Sequence, residues 1–337
     1  MALTYAEAGV SIDEGDRFVQ LIKRPVRSTF TEGVLGDIGG FGALFDARFK
    51  GYKSPVLVSS VDGVGTKLKI AQLMNRHDSV GQDLVNHCVN DILTCGARPL
   101  FFLDYFATGR LQADVAAQVV GGFVQACREN ECALVGGETA EMPGFYGEEE
   151  YDIAGTIVGI VEKKEILSGK GIKKGDVLIG LPSTGLHTNG YSLARTTLLA
   201  RYRVDEYLDE LGMTIGEALL AVHRSYLNIV SSLLRKFEIH GLSHITGGGI
   251  LGNTKRILPL RCGLSIDWNA WERPFLFQLI QRLGEVPEDD MRKTFNLGIG
   301  MVVIVPRKSV DRVVRFIRKK GENAAVIGEV VRSGRPA

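Results

Sequence analysis

Apolar positions along this chain follow two alternating periods. Residues 13–24 set Phe18, Leu21 and Ile22 on one side at helical spacing, and Pro25 is expected to end that helix. The run PVLVSSV (55–61) reads as a strand entering the loop D-G-V-G-T-K (62–67). In VGQDLVNHCVNDILTC (80–95), Val80, Leu84, Cys88 and Ile92 share one helical face, and Asp83, His87 and Asp91 follow the same four-residue step on the neighbouring polar face. PLFFLDYFA (99–107), CALVGG (132–137) and DIAGTIVGIVE (152–162) read as strands, with a helix over 112–129. A polar, glycine-bearing stretch at 163–176 is where a domain boundary is expected. Beyond it come strands at 176–182, 263–268, 299–305 and 324–330. Helices are expected from Tyr191, over 216–236, from Ile250, and over 274–284 and 308–320. Such alternation predicts an α/β (α+β) chain of two domains, 1–165 and 170–337.

Charge and composition narrow the ligand classes. Lys+Arg 40 against Asp+Glu 39 gives a net charge of +1, so no global field draws nucleic acid or an anionic membrane, and an anionic ligand must be held locally. The 41 glycines cluster, which favours close backbone approach to a ligand. Five cysteines without C-x-x-C spacing fit buried thiols in a reducing cytoplasm. The first residues lack a secretory pattern, and no apolar run reaches spanning length.

Four segments could carry chemistry. In D-G-V-G-T-K, Gly63 and Gly65 let backbone N–H groups approach phosphate, Asp62 offers an oxygen to Mg²⁺, Lys67 can neutralise a phosphate, and Thr66 lies between them. An Asp-capped glycine turn is the bland alternative. Asp83 and Asp91 suit Mg²⁺, although on spacing alone a solvated helix face is the favoured reading. G-G-E-T-A-E-M-P (136–143) adds Glu138 and Glu141, so carboxylates from separate elements could meet around one metal–nucleotide assembly. G-L-H-T-N-G (185–190) holds His187, expected to be exposed and to serve either acid/base or phosphate contact or simply as a surface histidine, with Asn189 beside it. T-G-G-G, comprising Thr246, Gly247, Gly248 and Gly249, opens a helix and reads as an anion site or as a tight helix start. His77, His223, His240 and His244 show no ligand spacing and read as surface or core residues.

In this order the motifs resemble the phosphoribosylformylglycinamidine cyclo-ligase family. The resemblance runs from YAEAGVSIDEGD (5–16) through GGFGALF, SSVDGVGTKLKIA, GQDLVNHCVNDIL, LVGGETAEMPGFY, HTNGYSLAR and HITGGGILGN to GENAAVIGEV. It implies conversion of formylglycinamidine ribonucleotide and ATP to aminoimidazole ribonucleotide, ADP and phosphate, with Mg²⁺. It also implies a ferredoxin-like N-terminal domain that forms a shared barrel in a homodimer, and a C-terminal α/β domain that closes the substrate groove. By resemblance, Asp62 and Lys67 belong to the nucleotide signature and Lys23 lies near the nucleotide. Gly39 and Gly40 sit in the glycine-rich nucleotide segment, Asp91 and Glu138 are Mg²⁺–phosphate ligands, and His187 belongs to the reaction centre. Thr246–Gly249 would take the ribose phosphate. Two departures stand out: Asp37 interrupts a segment that is usually more neutral, and Thr188 stands where serine is common. A relative with selenophosphate synthetase chemistry would need a reactive cysteine near the N-terminus, whereas the first one here is Cys88.

Overall fold

The structure, a computed structural model, describes residues 9–333, so positions 5–8 of the first motif lie outside the described residues. Two compact units emerge. One holds the chain up to Ile92 together with Arg98–Lys163, and the other holds Leu93–Ala97 together with the chain from Lys164 onward.

The first unit contains α1 (Ile12–Arg27), β1 (Pro55–Gly63), α2 (Leu68–Met74), α3 (Asp78–Leu93), β2 (Arg98–Thr108), α4 (Ala113–Glu129), β3 (Ala133–Glu141) and β4 (Tyr151–Glu162). Ser11 caps α1 by accepting the Glu14 N–H, and Asp13 and Glu14 at its start complement the helix dipole. Pro25 does not end this helix. The bond it cannot donate would reach the carbonyl of Leu21, which lies on the exposed side where water can replace it, so the helix continues to Arg27. The sheet order is β1-β4-β2-β3, with β2 and β3 parallel and the other pairs antiparallel. Among the described residues the chain after α1 runs β-α-α-β-α-β-β, not the β-α-β-β-α-β of a ferredoxin-like domain. The two share a split βαβ unit, here β1 and β2 with β4 between them.

Helices α3 and α4 cover one face of this sheet, where Phe102 meets Phe123 and the Cys88 thiol donates to the Gly155 carbonyl. The two helices cross backbone to backbone. A Cβ on Gly81 would stand 2.2 Å from the Val119 carbonyl oxygen, and one on Gly122 would stand 2.0 Å from that of Asp78. On the opposite face Leu57 and Val61 of β1 are 58% and 66% exposed, and Tyr105 of β2, across the intervening β4, is 37% exposed on the same face.

The second unit runs β5 (Val177–Pro182), α5 (Tyr191–Leu198), β6 (Tyr207–Leu208), β7 (Met213–Thr214), α6 (Ile215–Leu220), α7 (Leu227–Leu234), β8 (Gly241–His244) and α8 (Gly249–Lys255). It continues with β9 (Cys262–Ile266), α9 (Phe275–Gly284), α10 (Glu288–Thr294), β10 (Ile299–Val305), α11 (Val310–Lys319) and β11 (Ala325–Arg332). Its antiparallel sheet has the order β8-β10-β5-β11-β9. The inner strands β5 and β10 are buried almost throughout, as their unbroken apolar runs require. Leu178, Val302, Ile304 and Ile327 form the centre of the core with Ile245 and Ile250.

One expected helix, 216–236, is two. The chain leaves helical geometry at Ala221. The Tyr226 hydroxyl then donates to the Pro182 carbonyl at 2.8 Å, and Arg224 grips both oxygens of Glu322. Those fixed side chains hold 221–226 outside helical geometry. A second tie joins the chain before β5 to the chain before β8, because His240 Nδ1 lies 2.6 Å from Asp176 and its Nε2 lies 3.0 Å from Glu238.

Candidate functional site

The segment 62–67 is not wholly a loop. Asp62 and Gly63 are still in β1, paired with Gly155 and Ala154, and Gly65, Thr66 and Lys67 form a single 3₁₀ turn into α2. Pairing turns Asp62 toward α3. There the Asp83, His87 and Asp91 face is covered by protein rather than solvated: Asp83 and His87 are buried and Asp91 is half-buried. His87 Nε2 lies 2.9 Å from Asp62 Oδ2 and 3.9 Å from Asp91 Oδ2, and the Ser60 hydroxyl donates to Asp91 at 3.1 Å. Burial pulls the His87 imidazolium down, but the hydrogen bond to Asp62 and the charges of Asp62, Asp91 and Asp83 outweigh it and leave its pKa raised.

Lys67 overturns the expectation of a phosphate contact. Its side chain is fully buried and its ammonium lies 2.8 Å from Asp83 Oδ2. Burial lowers its pKa against the opposing pull of Asp83. The ion pair fastens the start of α2 to α3, so Lys67 is a structural partner of Asp83 instead of a cation offered to ligand.

A cavity of about 870 Å³ opens elsewhere in the first unit, between the glycine-rich segment, α1 and β3. Gly39, Gly40 and Glu138 line it, whereas Lys23 and the 62–67 segment do not. Residues 33–46 make a small hairpin whose tip forms one wall. Asp37 at that tip is not a lone charge facing ligand. Arg27 grips it, with Nε 2.9 Å from Oδ1, and this hydrogen bond holds the carboxyl at about 2, with Lys23 adding to the pull. Glu141 accepts the N–H groups of Ser11 and Leu111 and so clasps α1 to the end of β3.

Sheet register separates the carboxylates expected to share one metal. Asp62, Gly155, Asp104 and Gly137 form one row across β1, β4, β2 and β3. Three steps of about 4.8 Å put the backbone at Asp62 roughly 14 Å from that beside Glu138, too far for one ion. Asp62 and Asp91 therefore go together, and Glu138 stands apart. The same row reveals a cavity-lining acid that motif reading missed. Burial raises the Asp104 carboxyl to about 7, against a hydrogen bond from its own backbone that lowers it. An acid inside the apolar run PLFFLDYFA was the available signal.

In the second unit His187 is not exposed. It is fully buried, with φ +61°, and stacks on His223 with ring centroids 3.9 Å apart. The Thr184 N–H donates to its Nε2 at 3.2 Å. His223 and His244 are also buried, with Nε2 atoms 3.0 Å apart. His223 sits in the break before α7 and His244 ends β8, so pattern and spacing gave no sign that the two would meet. Asn189 does meet the glycine loop: a Cβ on Gly247 would stand 3.1 Å from its Oδ1. The loop itself offers fewer donors than its composition suggests. The Gly248 N–H serves the Lys293 carbonyl at 2.8 Å and the Gly249 N–H serves Thr246 at 3.1 Å. Thr246 Oγ1 lies 3.2 Å from Asn253 Oδ1. Gly248 and Gly249 have φ +103° and +63°, and a Cβ on Gly249 would meet the Arg292 carbonyl at 1.8 Å, so backbone geometry alone accounts for both glycines.

Comparison with known proteins gives these constellations a family. Residues 47–161 match the family described as AIR synthase related protein, N-terminal domain, and residues 173–337 match its C-terminal domain. The phosphoribosylformylglycinamidine cyclo-ligase of Alkaliphilus metalliredigens (strain QYMF) is 51% identical over 335 residues, covering 99% of this chain and 96% of that protein. That of Thermoanaerobacter pseudethanolicus (strain ATCC 33223 / 39E) is 52% identical over 333 residues, covering 98% of each. In fold the chain is similar to thiamine-monophosphate kinase from Stenotrophomonas maltophilia K279a, with TM-score 0.71 at 16% identity over 93% of this chain and 94% of that one. It is also similar to hydrogenase maturation protein HypE in complex with ATP, with TM-score 0.63 at 20% identity over 94% and 84%. With half its residues identical over nearly full length and both domains matched, the chain belongs to the phosphoribosylformylglycinamidine cyclo-ligase family.

Proposed function

We infer that this chain closes an imidazole ring at the expense of ATP in purine biosynthesis. It converts formylglycinamidine ribonucleotide to aminoimidazole ribonucleotide with release of ADP and phosphate. Family membership over the full length supports the reaction. The assignment of residues rests on one observation: Asp62 and Asp91 converge on the ring of His87 beside a glycine-bearing turn.

A formyl amide oxygen leaves poorly. Transfer of the γ-phosphoryl to it gives an iminophosphate, which the neighbouring amidine nitrogen attacks, and phosphate departs as the ring aromatises. Such transfer needs positioning and charge neutralisation, not a protein nucleophile. The carboxylates of Asp62 and Asp91 fit Mg²⁺, a hard cation that when bound supplies positive charge to the phosphate oxygens. Gly63, Gly65 and Thr66 would approach the same phosphates. Gly39 and Gly40 would face the rest of the nucleotide in the large cavity, with Lys23 close by and Glu138 on the opposite wall. In the second unit Asn189 and Thr246–Gly249 would take the ribonucleotide phosphate, with His187 at the reaction centre.

The partner surface is the outer face of the first sheet. β1 is an edge strand, and its exposed Leu57 and Val61 continue toward Tyr105 of β2. An apolar face next to an open edge is a liability unless covered, and a second copy closing a shared barrel would cover both. No described helix is long and apolar enough to cross a membrane, and a cytoplasmic setting suits the reaction.

Incubation with ATP, Mg²⁺ and formylglycinamidine ribonucleotide should yield one ADP per imidazole formed. Asp62→Asn and Asp91→Asn should each lower turnover about 100-fold or more while keeping the thermal midpoint. Near-normal turnover at saturating Mg²⁺ would return both carboxylates to a purely structural role.

A further inference from the structure

Within the second unit, Thr188, His223 and His244 form one hydrogen-bonded chain. Thr188 Oγ1 lies 3.4 Å from His223 Nδ1, and His223 Nε2 lies 3.0 Å from His244 Nε2. The chain begins in the H-T-N-G loop and ends at the last residue of β8, two positions before Thr246. His223 is thus engaged through both ring nitrogens. A 3.0 Å contact between two imidazole nitrogens needs one N–H donor and one bare nitrogen, because two N–H groups would repel and two lone pairs would lack a proton. A single proton therefore lies between His223 and His244, at a place shielded from solvent: His187 and His223 are 0% exposed and His244 is 5% exposed.

Ring nitrogens of His187, His223 and His244 also lie within 4.8 Å of one another, close enough to share a metal ion. Ring orientation speaks against that use. His187 and His223 stack with only 17° between their planes, and lone pairs that lie in the ring planes then run side by side instead of converging.

We propose that His223 is a proton-relay residue for ring closure. The inference rests on the reading of the H-T-N-G loop, which carries Thr188, as part of the reaction centre. Cyclisation breaks an N–H bond of the attacking amidine nitrogen; the electron pair stays on nitrogen in the aromatic ring, and one proton must leave. Thr188 accepts that proton on its hydroxyl oxygen while its own hydroxyl proton passes to His223 Nδ1. The proton on His223 Nε2 moves in turn to His244 Nε2. His223 ends neutral, and the charge has moved one ring along. His187, stacked on the relay ring and pinned through Nε2 by the Thr184 N–H, fixes its plane. His223 does not touch the reacting atoms and acts through Thr188 and His244.

The test uses the full chain with ATP, Mg²⁺ and formylglycinamidine ribonucleotide. His223→Phe keeps a ring against His187 and removes both nitrogens, whereas His223→Ala leaves a space that free imidazole can enter. Both should lose about tenfold or more in kcat, with KM for each substrate within about twofold of the parent. Added imidazole should restore turnover to His223→Ala and not to His223→Phe. The parent should show one downfield imidazole N–H proton resonance that His223→Phe lacks, with a thermal midpoint close to the parent's. Parental kcat in His223→Phe overturns the relay, as does a His223→Ala defect that imidazole leaves untouched, or stoichiometric Zn²⁺ binding that His223→Phe abolishes. His187→Asn separates the two readings. Parental kcat there, with His223→Phe impaired, removes His187 both from the reaction centre and from orienting His223, and leaves the relay from Thr188 through His223 to His244 in place.

Discussion

Asp104 interrupts an otherwise apolar strand and lines the large cavity, and its carboxyl is raised to about 7. Unfolded, the same group ionises near 4. Between those values the folded chain holds a proton that the unfolded chain has released. The stability of the protonated form is complete below about pH 4 and is lost as pH rises through about 7. Asp104→Asn cannot ionise, so its unfolding free energy should gain on the parent's from pH 4 to pH 7 and keep that gain above, by on the order of 4 kcal/mol. A difference independent of pH would mean that the carboxyl is well solvated. Lys67 teaches a related point. Its place in D-G-V-G-T-K suggests phosphate, yet it is buried against Asp83. Lys67→Met should cost about 3–5 kcal/mol by stranding that carboxylate, and adding Asp83→Asn should recover part of the loss. Urea denaturation of both variants checks this; weakened ATP binding with unchanged stability would restore the phosphate role.

At the scale of elements, strands were legible wherever an apolar run was long, as at 55–61 and 299–305. Short elements escaped. α2 and β8 have only seven and four residues, too few to establish a period. The 216–236 helix was misread because Arg224 and Tyr226 answer to Glu322 and Pro182, contacts invisible to periodicity. The same holds for the site. Asp62 and Asp91 could be picked out by motif, and the four-residue step put His87 next to Asp91. His223 and His244 meet only because β8 pairs with β10 and the chain breaks before α7. His240 ties two elements through charge. Burial lowers its pKa, but the hydrogen bonds to Asp176 and Glu238 prevail and raise it. A raised folded value makes its contribution complete below about pH 6.5 and lost as pH climbs through the folded pKa. His240→Ala should therefore destabilise by about 1 kcal/mol at pH 6 and by less at pH 9, read from urea midpoints at the two values. Equal losses at both would make the tie one of packing alone.

For the whole molecule, the proposed barrel predicts a change of mass. Light scattering at micromolar concentration should give twice the chain mass for the parent, and Leu57→Glu with Val61→Glu should give a monomer. A monomeric parent would leave that apolar face unexplained. Gly81 and Gly122 carry a different kind of consequence. Where α3 and α4 touch backbone to backbone, the separation of the two helices is set by the lack of two side chains. α3 also carries His87 and Asp91, so any side chain added at the crossing displaces those groups from Asp62. In a population that must make its own purines, Gly81 and Gly122 would then be as resistant to mutation as the carboxylates themselves. A survey of tolerated substitutions would mark as essential two positions that no ligand ever meets.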